Sequence, residues 1–231
     1  MKLKKEIFRE YDIRGIYQEE IDEEIAYLIG KAYGTKLREL NKTKTVVAYD
    51  NRLSSPNLEE NLVKGIVETG IDVLRLGLAT TPMCYFAANY LNTNASMMIT
   101  ASHNPKEYNG FKFSYNGIHN AYGDSVKEIY QIIESGHFAT GNGKVENKDI
   151  TKPYIDLIID KLSFGNRKIK VVYDCGNGTT SVIADQVFAN LNVESIPLFN
   201  ISDGTFPNHH PNPSDIKTLD VIRKKVQEFL R

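Results

Sequence analysis

At 231 residues the chain is long enough for one large domain or two small ones, and its 41% hydrophobic and 25% charged content is ordinary for a globular protein. A formal net charge of -1 gives no support to a nucleic-acid or anionic-membrane partner. No window reaches transmembrane length, and the opening Met-Lys-Leu-Lys-Lys-Glu-Ile-Phe-Arg-Glu lacks the apolar core of a signal peptide, so a cytoplasmic protein is expected.

Residues 6–15 read as a short strand ending in a glycine turn, with Arg14 between Ile13 and Gly15 able to present a guanidinium fork where backbone comes close to a ligand. The plainer reading of Arg14 is a solvated charge. From Asp22 to about Leu40 apolar residues recur at Ile25, Leu28, Ile29, Ala32, Tyr33 and Leu37, a helical stripe with acidic residues in its first turn. Lys44–Asp50 is a strand that runs into Asp50-Asn-Arg-Leu-Ser-Ser-Pro56, where an Asp50–Arg52 pair bracing the loop is the preferred reading. Asn57–Thr69 is a helix stopped by Gly70, Ile71–Leu76 the next strand, Gly77–Pro82 a turn, and a helix follows to about Leu91. Cys84 lies in this helix and Cys175 far from it, with neither disulfide-framework nor metal-site spacing, so both read as buried thiols.

Ala95–Ile99 is a short apolar run of the kind that forms a buried strand. It breaks into Thr100-Ala-Ser-His-Asn-Pro105, a polar loop on a rigid frame, whose Pro105 biases Asn104 away from helix. Alternation in Phe111-Lys112-Phe113 turns Lys112 to the face opposite both rings, so Ser102, His103 and Lys112 are candidates to converge. Three readings compete for this loop. It has no chemical role; or Ser102 is a hydrolase nucleophile served by His103, although adjacent side chains rarely aim at each other and no Gly-x-Ser-x-Gly elbow is present; or Ser102 carries a phosphoryl group with His103 and Lys112 as partners.

Thr100-Ala-Ser-His-Asn-Pro105 followed by Asn109-Gly-Phe-Lys-Phe113 resembles the phosphoserine loop of the α-D-phosphohexomutases, enzymes that move phosphate between the 1- and 6-positions of hexose phosphates. Phe8-Arg-Glu-Tyr-Asp-Ile-Arg-Gly15 resembles the entry segment of their phosphomannomutase/phosphoglucomutase branch. The resemblance implies Ser102, His103, Lys112 and Arg14 as catalytic residues and Thr100, Asn104 and Tyr11 as substrate-binding ones. It also implies Mg²⁺ as cofactor, with the phosphate of Ser102 as one metal ligand and the remaining ligands absent from this sequence. Asp50-Asn-Arg-Leu-Ser-Ser55 is similar to the family's Arg-Asp-x-Arg-x-Ser-Ser loop, except that Tyr49 stands where that loop begins with arginine.

The remaining chain falls in family order. Gly123-Asp124-Ser125 opens a helix through Ile133, and the glycine-rich polar run 140–149 marks a boundary between domain I at 1–147 and domain II at 148–231. A helix from about Pro153 to Leu162, a strand Lys168–Tyr173, a helix Val182–Leu191, a strand Val193–Leu198 and an amphipathic helix Ile216–Phe229 complete the pattern. Gly176-Asn-Gly178 fails the dinucleotide spacing, and His209-His210, lacking further ligands, reads as structural or as a support behind the metal loop that the resemblance implies. The expected fold is α/β, with layered α/β/α domains on mixed, mostly parallel sheets and an incomplete second domain with an unpaired sheet edge. The expected partners are a hexose phosphate and either a second copy or a carboxy-terminal half. The expected function is that of a phosphohexomutase, weak or inactive as this chain; the alternative is a non-catalytic subunit that binds a partner half or a phosphosugar.

Overall fold

The computed structural model describes residues 3–117, 119–162, 165, 168–191 and 193–229. Contacts divide the chain into two compact units: one runs to Ala101 and resumes over Glu107–Asp149, and the other holds Ser102–Lys106 and the chain from Ile150 onward.

In the first unit, β1 (Ile13–Ile16), α1 (Glu23–Glu39), β2 (Lys44–Tyr49), α2 (Ser55–Val67), β3 (Asp72–Leu78), α3 (Thr81–Tyr90), β4 (Ser96–Ile99), β5 (Tyr108–Ser114), α4 (Asp124–Ser135) and β6 (Val145–Asn147) follow one another. The helices start where the chain supplies caps. The Asp22 carboxylate accepts from the Ile25 amide at 2.8 Å, and Thr80 does the same for Met83, satisfying donors that a helix N-terminus leaves open.

The strands make one sheet in the order β1-β5-β4-β2-β3-β6. β2 pairs in parallel with β3 and β4, β3 in parallel with β6, and β5 runs antiparallel to β4 and β1. This is the mixed, mostly parallel sheet that the alternation of elements predicts. Period-2 alternation splits its faces. Met97, Ile99, Phe111 and Phe113 join Ile25, Ile29, Tyr33, Leu58, Leu62 and Ile129 in one buried cluster under α1, α2 and α4. Met83, Cys84, Ala87 and Ala88 of α3, equally buried, pack on β2 and β4 from the other side. The ends of β1, β2 and β4 and the start of β5 therefore meet at one rim.

Two local readings differ from the structure. β3 does not stop before Gly77: it continues to Leu78 through a register shift against Val47/Ala48, and Gly77 takes the left-handed φ of +72° that the bulge requires. The glycine-rich run after residue 140 is not simply a spacer. Its glycines let the backbone lie against the α2–β3 turn, where a Cβ on Gly143 would fall 2.1 Å from the Ile71 carbonyl oxygen, and the chain then adds β6 to the sheet edge.

The second unit contains α5 (Thr151–Lys161), β7 (Lys170–Asp174), α6 (Ala184–Asn190), β8 (Glu194–Leu198) and α7 (Asp220–Phe229). β7 and β8 pair in parallel as a two-stranded sheet among the described residues. The long helix predicted from Ile216 begins as a 3-10 turn over Ile216–Leu219. The Asp215 carboxylate caps Lys217 at 3.0 Å and the Thr218 hydroxyl donates back to the Asn212 and Asp215 carbonyls, so regular α geometry starts only at Asp220. Among the described residues, no helix is long and apolar enough to cross a membrane.

Candidate active site

The rim is organised by a carboxylate. The backbone amide of Asp50 donates to Ile99 at 2.9 Å, which holds the end of β2 beside the end of β4. The Asp50 side chain then accepts four hydrogen bonds: from the Arg52 amide and Nε, each at 3.1 Å, and from the Ser55 and Thr100 hydroxyls, each at 2.7 Å. Arg52 is only 1% exposed, and its Nη1 donates to the Tyr108 carbonyl at 3.1 Å. Burial presses the Arg52 pKa below its ordinary value, the Asp50 charge opposes this, and the positive charge of Arg14 adds to it. Asn109 completes the network by donating to the Ser54 and Ser55 hydroxyls at 2.8 and 2.9 Å. The Asp50–Arg52 brace read from the sequence is present. The links to Thr100, Tyr108 and Asn109 had no sequence signal, because they join residues about fifty positions apart.

Arg14 lies opposite Gly110 in the β1–β5 ladder, and the Thr100 amide donates to the Gly110 carbonyl at 2.9 Å. Gly110 permits this approach: a Cβ there would sit 2.2 Å from the Ile13 carbonyl oxygen. Alternation puts Lys112 on the same face as Gly110 and therefore as Arg14, away from the buried rings of Phe111 and Phe113. Arg14 is not the solvated charge of the plainer reading. It is 8% exposed and its Nη2 is hydrogen-bonded to the carboxylate of Asp12, the residue just before β1. Tyr11, by contrast, is 71% exposed.

Beyond β4, Ala101 is buried and Ser102 and His103 are exposed, with Asn104 half-buried. Ser102 adopts a left-handed φ of +56°, uncommon for a residue with a Cβ. Its Oγ stands 3.4 Å from His103 Nδ1. The two adjacent side chains thus do turn toward each other, at a separation long for a hydrogen bond.

In the second unit, Asp174 accepts from the Gly176 amide at 2.7 Å and faces His209 Nε2 at 3.3 Å, while Asn208 donates to Asn177 at 2.7 Å. These contacts tie the loops after β7 and β8 together and fix the position of His209; His210 is exposed. Cys84 is buried, and Cys175 is half-buried rather than enclosed. Among the described residues, no group of three or more His, Cys, Asp or Glu side chains is arranged to hold a metal ion.

Residues 5–140 match the family model for phosphoglucomutase/phosphomannomutase alpha/beta/alpha domain I, and residues 152–229 match that for domain II. The chain belongs to the phosphoglucomutase/phosphomannomutase family. It is 40% identical over 222 residues to a phosphomannomutase/phosphoglucomutase of Pseudomonas syringae pv. tomato, a match covering 96% of this chain and 47% of the relative. It is likewise 40% identical over 217 residues to a phosphoglucomutase of Neisseria meningitidis serogroup A, covering 93% of this chain and 47% of that one. A crystal structure of a phosphoglucomutase/phosphomannomutase family protein from Burkholderia thailandensis superimposes with a TM-score of 0.92 at 36% identity, over 97% of this chain and 50% of the other. The chain therefore spans about half the length of the curated relatives it matches. All seven site residues predicted from sequence fall within the domain I match of the phosphoglucomutase/phosphomannomutase family, and the Asp174–His209 contact falls within its domain II match.

Proposed function

We propose that the chain supplies domains I and II of a hexose-phosphate mutase, with Ser102 as the phosphoryl carrier. One observation carries the reading: an exposed serine in a left-handed backbone, delivered by a buried strand, inside the Thr100–Pro105 motif. In the transfer step the bond from phosphorus to Ser102 Oγ breaks as a bond to a sugar hydroxyl oxygen forms, and the hydroxyl proton leaves to a base. His103, beside Ser102, is the candidate for that proton. Arg14 and Lys112 offset the charge on the transferring group, with Arg14 exchanging Asp12 for phosphate as its partner. The returning step takes the opposite phosphate of the bisphosphate back to Ser102.

Mg²⁺, implied by the family, fits the residues present only in part. A phosphate on Ser102 provides one oxygen donor, the Asp50 carboxylate is fully engaged by Arg52, Ser55 and Thr100, and a hard cation takes several oxygen ligands. The full phosphotransfer cycle is accordingly proposed for these two domains together with the remaining half of the relatives' length, and residues 1–231 by themselves are expected to show little or no turnover of mannose 1-phosphate in a coupled assay.

Intact mass tests the carrier role separately from turnover. Incubation with a hexose 1,6-bisphosphate is expected to add one phosphate to the native chain and none to Ser102→Ala. An adduct that persists in Ser102→Ala rejects Ser102 as the carrier, and a native chain that never takes one favours the alternative of a non-catalytic phosphosugar-binding chain.

A further inference from the structure

The loop 101–107 leaves the sheet from two stems, Thr100 at the end of β4 and Tyr108 at the start of β5. The hydroxyl of the first stem donates to Asp50, and the carbonyl of the second accepts from Arg52, the ion-pair partner of that same Asp50. Asn109, the next residue of the second stem, reaches the Ser54 and Ser55 hydroxyls, and Ser55 in turn donates to Asp50. A single buried ion pair therefore holds both ends of the loop. Backbone bonds close the frame: the Thr100 amide to Gly110 and the Tyr17 amide to Glu107, at 2.9 and 2.8 Å.

We infer that the Asp50–Arg52 pair is the positioning element of the Ser102 loop, a clamp that touches neither phosphate nor sugar and acts by fixing the loop's two stems. Three features of the pair suit it to this task. It is buried, so water competes little for its bonds. Its planar guanidinium spends Nε on Asp50 and Nη1 on a stem carbonyl, a division that a lysine ammonium on a flexible stem cannot reproduce. The left-handed backbone at Ser102 is a conformation that persists only when its surroundings over-determine it, and rigid stems supply that constraint. The clamp rests on the phosphoserine reading only for its purpose; its mechanics stand on the hydrogen bonds alone.

The test compares Thr100→Val, which keeps the shape and removes the donor to Asp50, with Thr100→Ser, which restores the donor, in the full chain. Residue-resolved amide exchange by NMR reads the stem bonds directly, at position 100 and at Tyr17. Loss of a hydrogen bond to a charged acceptor is expected to speed exchange at both sites by about tenfold in Thr100→Val, while interior amides of α1 are unchanged, and Thr100→Ser is expected to recover most of the protection. Phosphate loading of Ser102 from a hexose 1,6-bisphosphate, followed by intact mass, is expected to slow in Thr100→Val and recover in Thr100→Ser. Exchange at both stems unchanged in Thr100→Val, or raised evenly through α1 and β3, overturns the clamp. A native chain that takes no phosphate counts against the carrier role of Ser102 without touching the clamp, which the exchange data then decide by themselves.

Discussion

Glu59 is a carboxylate with 0% exposure on the inner side of α2, and Arg75 of β3 meets it with Nε at 2.6 and 2.7 Å from its two oxygens. Burial pushes the Glu59 pKa above the usual carboxylate range, and the Arg75 charge works against that rise. Arg75→Ala leaves the charge buried without its partner. A destabilisation of about 2–4 kcal/mol is expected, toward the lower end because the arginine is partly exposed. The pH dependence has a definite sign. A carboxyl whose folded pKa lies above its unfolded value favours the folded state when protonated, and that contribution is lost as pH rises through the folded pKa. Urea unfolding should therefore show a larger deficit for Arg75→Ala at pH 8 than at pH 5, and an equal deficit at both would contradict the buried-charge account. This pair shows why some of the molecule is not legible in one dimension. Thr100 and Ser102 stand out because a strand hands them to a loop in a recognisable string, and Lys112 because it alternates with two apolar rings inside β5. Glu59 and Arg75 look like ordinary surface charges until the fold brings them together. Asp50 was readable as half of a local pair but not as the hub of four hydrogen bonds, since two of its partners, Ser55 and Thr100, lie on other elements.

Helix and strand identity followed from periodicity through most of the chain, and the departures have steric causes that a glycine count does not reveal. Gly77 and Gly143 both read as loop signals; the first is a bulge inside β3, and the second is the packing surface that seats β6 on the sheet edge. Glycine tells a reader that backbone needs room or an unusual φ, but not whether the cause is a turn or a close neighbour. The difference is measurable. If Gly143 served only as a spacer, Gly143→Ala would be neutral or slightly stabilising by reducing unfolded-state freedom. With the Ile71 carbonyl 2.1 Å from where the new carbon would sit, the backbone must move, the Gly143 amide bond to Val67 must lengthen, and β6 must lose register with β3. A loss of about 1–3 kcal/mol, with faster amide exchange confined to β3 and β6, is the expected outcome.

At the scale of the whole chain, the two units differ in what they bury. The first has a continuous core in which two dozen or so side chains from α1, α2, α4 and the sheet enclose one another. Among the described residues of the second, the buried apolar side chains are Ile150, Ile155, Ile183 and Ala184, while Leu157, Leu162, Ile201, Ile216, Val221 and Val226 remain exposed. Apolar area removed from water is the main favourable term in folding, at about 25 cal/mol per Å². A two-stranded sheet with so small a core has little to set against the entropy of ordering its chain. The second unit should thus open well before the first, as a separate cooperative step. Hydrogen exchange followed by mass spectrometry across a urea series should show peptides from β7, β8 and α6 losing protection at lower denaturant than peptides from α1, β2 and β4. Coincident midpoints would mean that the chain unfolds as one cooperative body and that buried area within each unit does not set its stability. Apolar burial supplied from outside the second unit would act in the same direction as burial within it. A partner that covers the exposed side chains of α7, Val221 and Val226, binds the folded second unit and not the unfolded one, and so raises its opening free energy by mass action. Adding that partner should move the β7 and β8 midpoint toward that of the first unit and leave α1 where it was. A shift of α1 in its place would put the docking surface on the first unit.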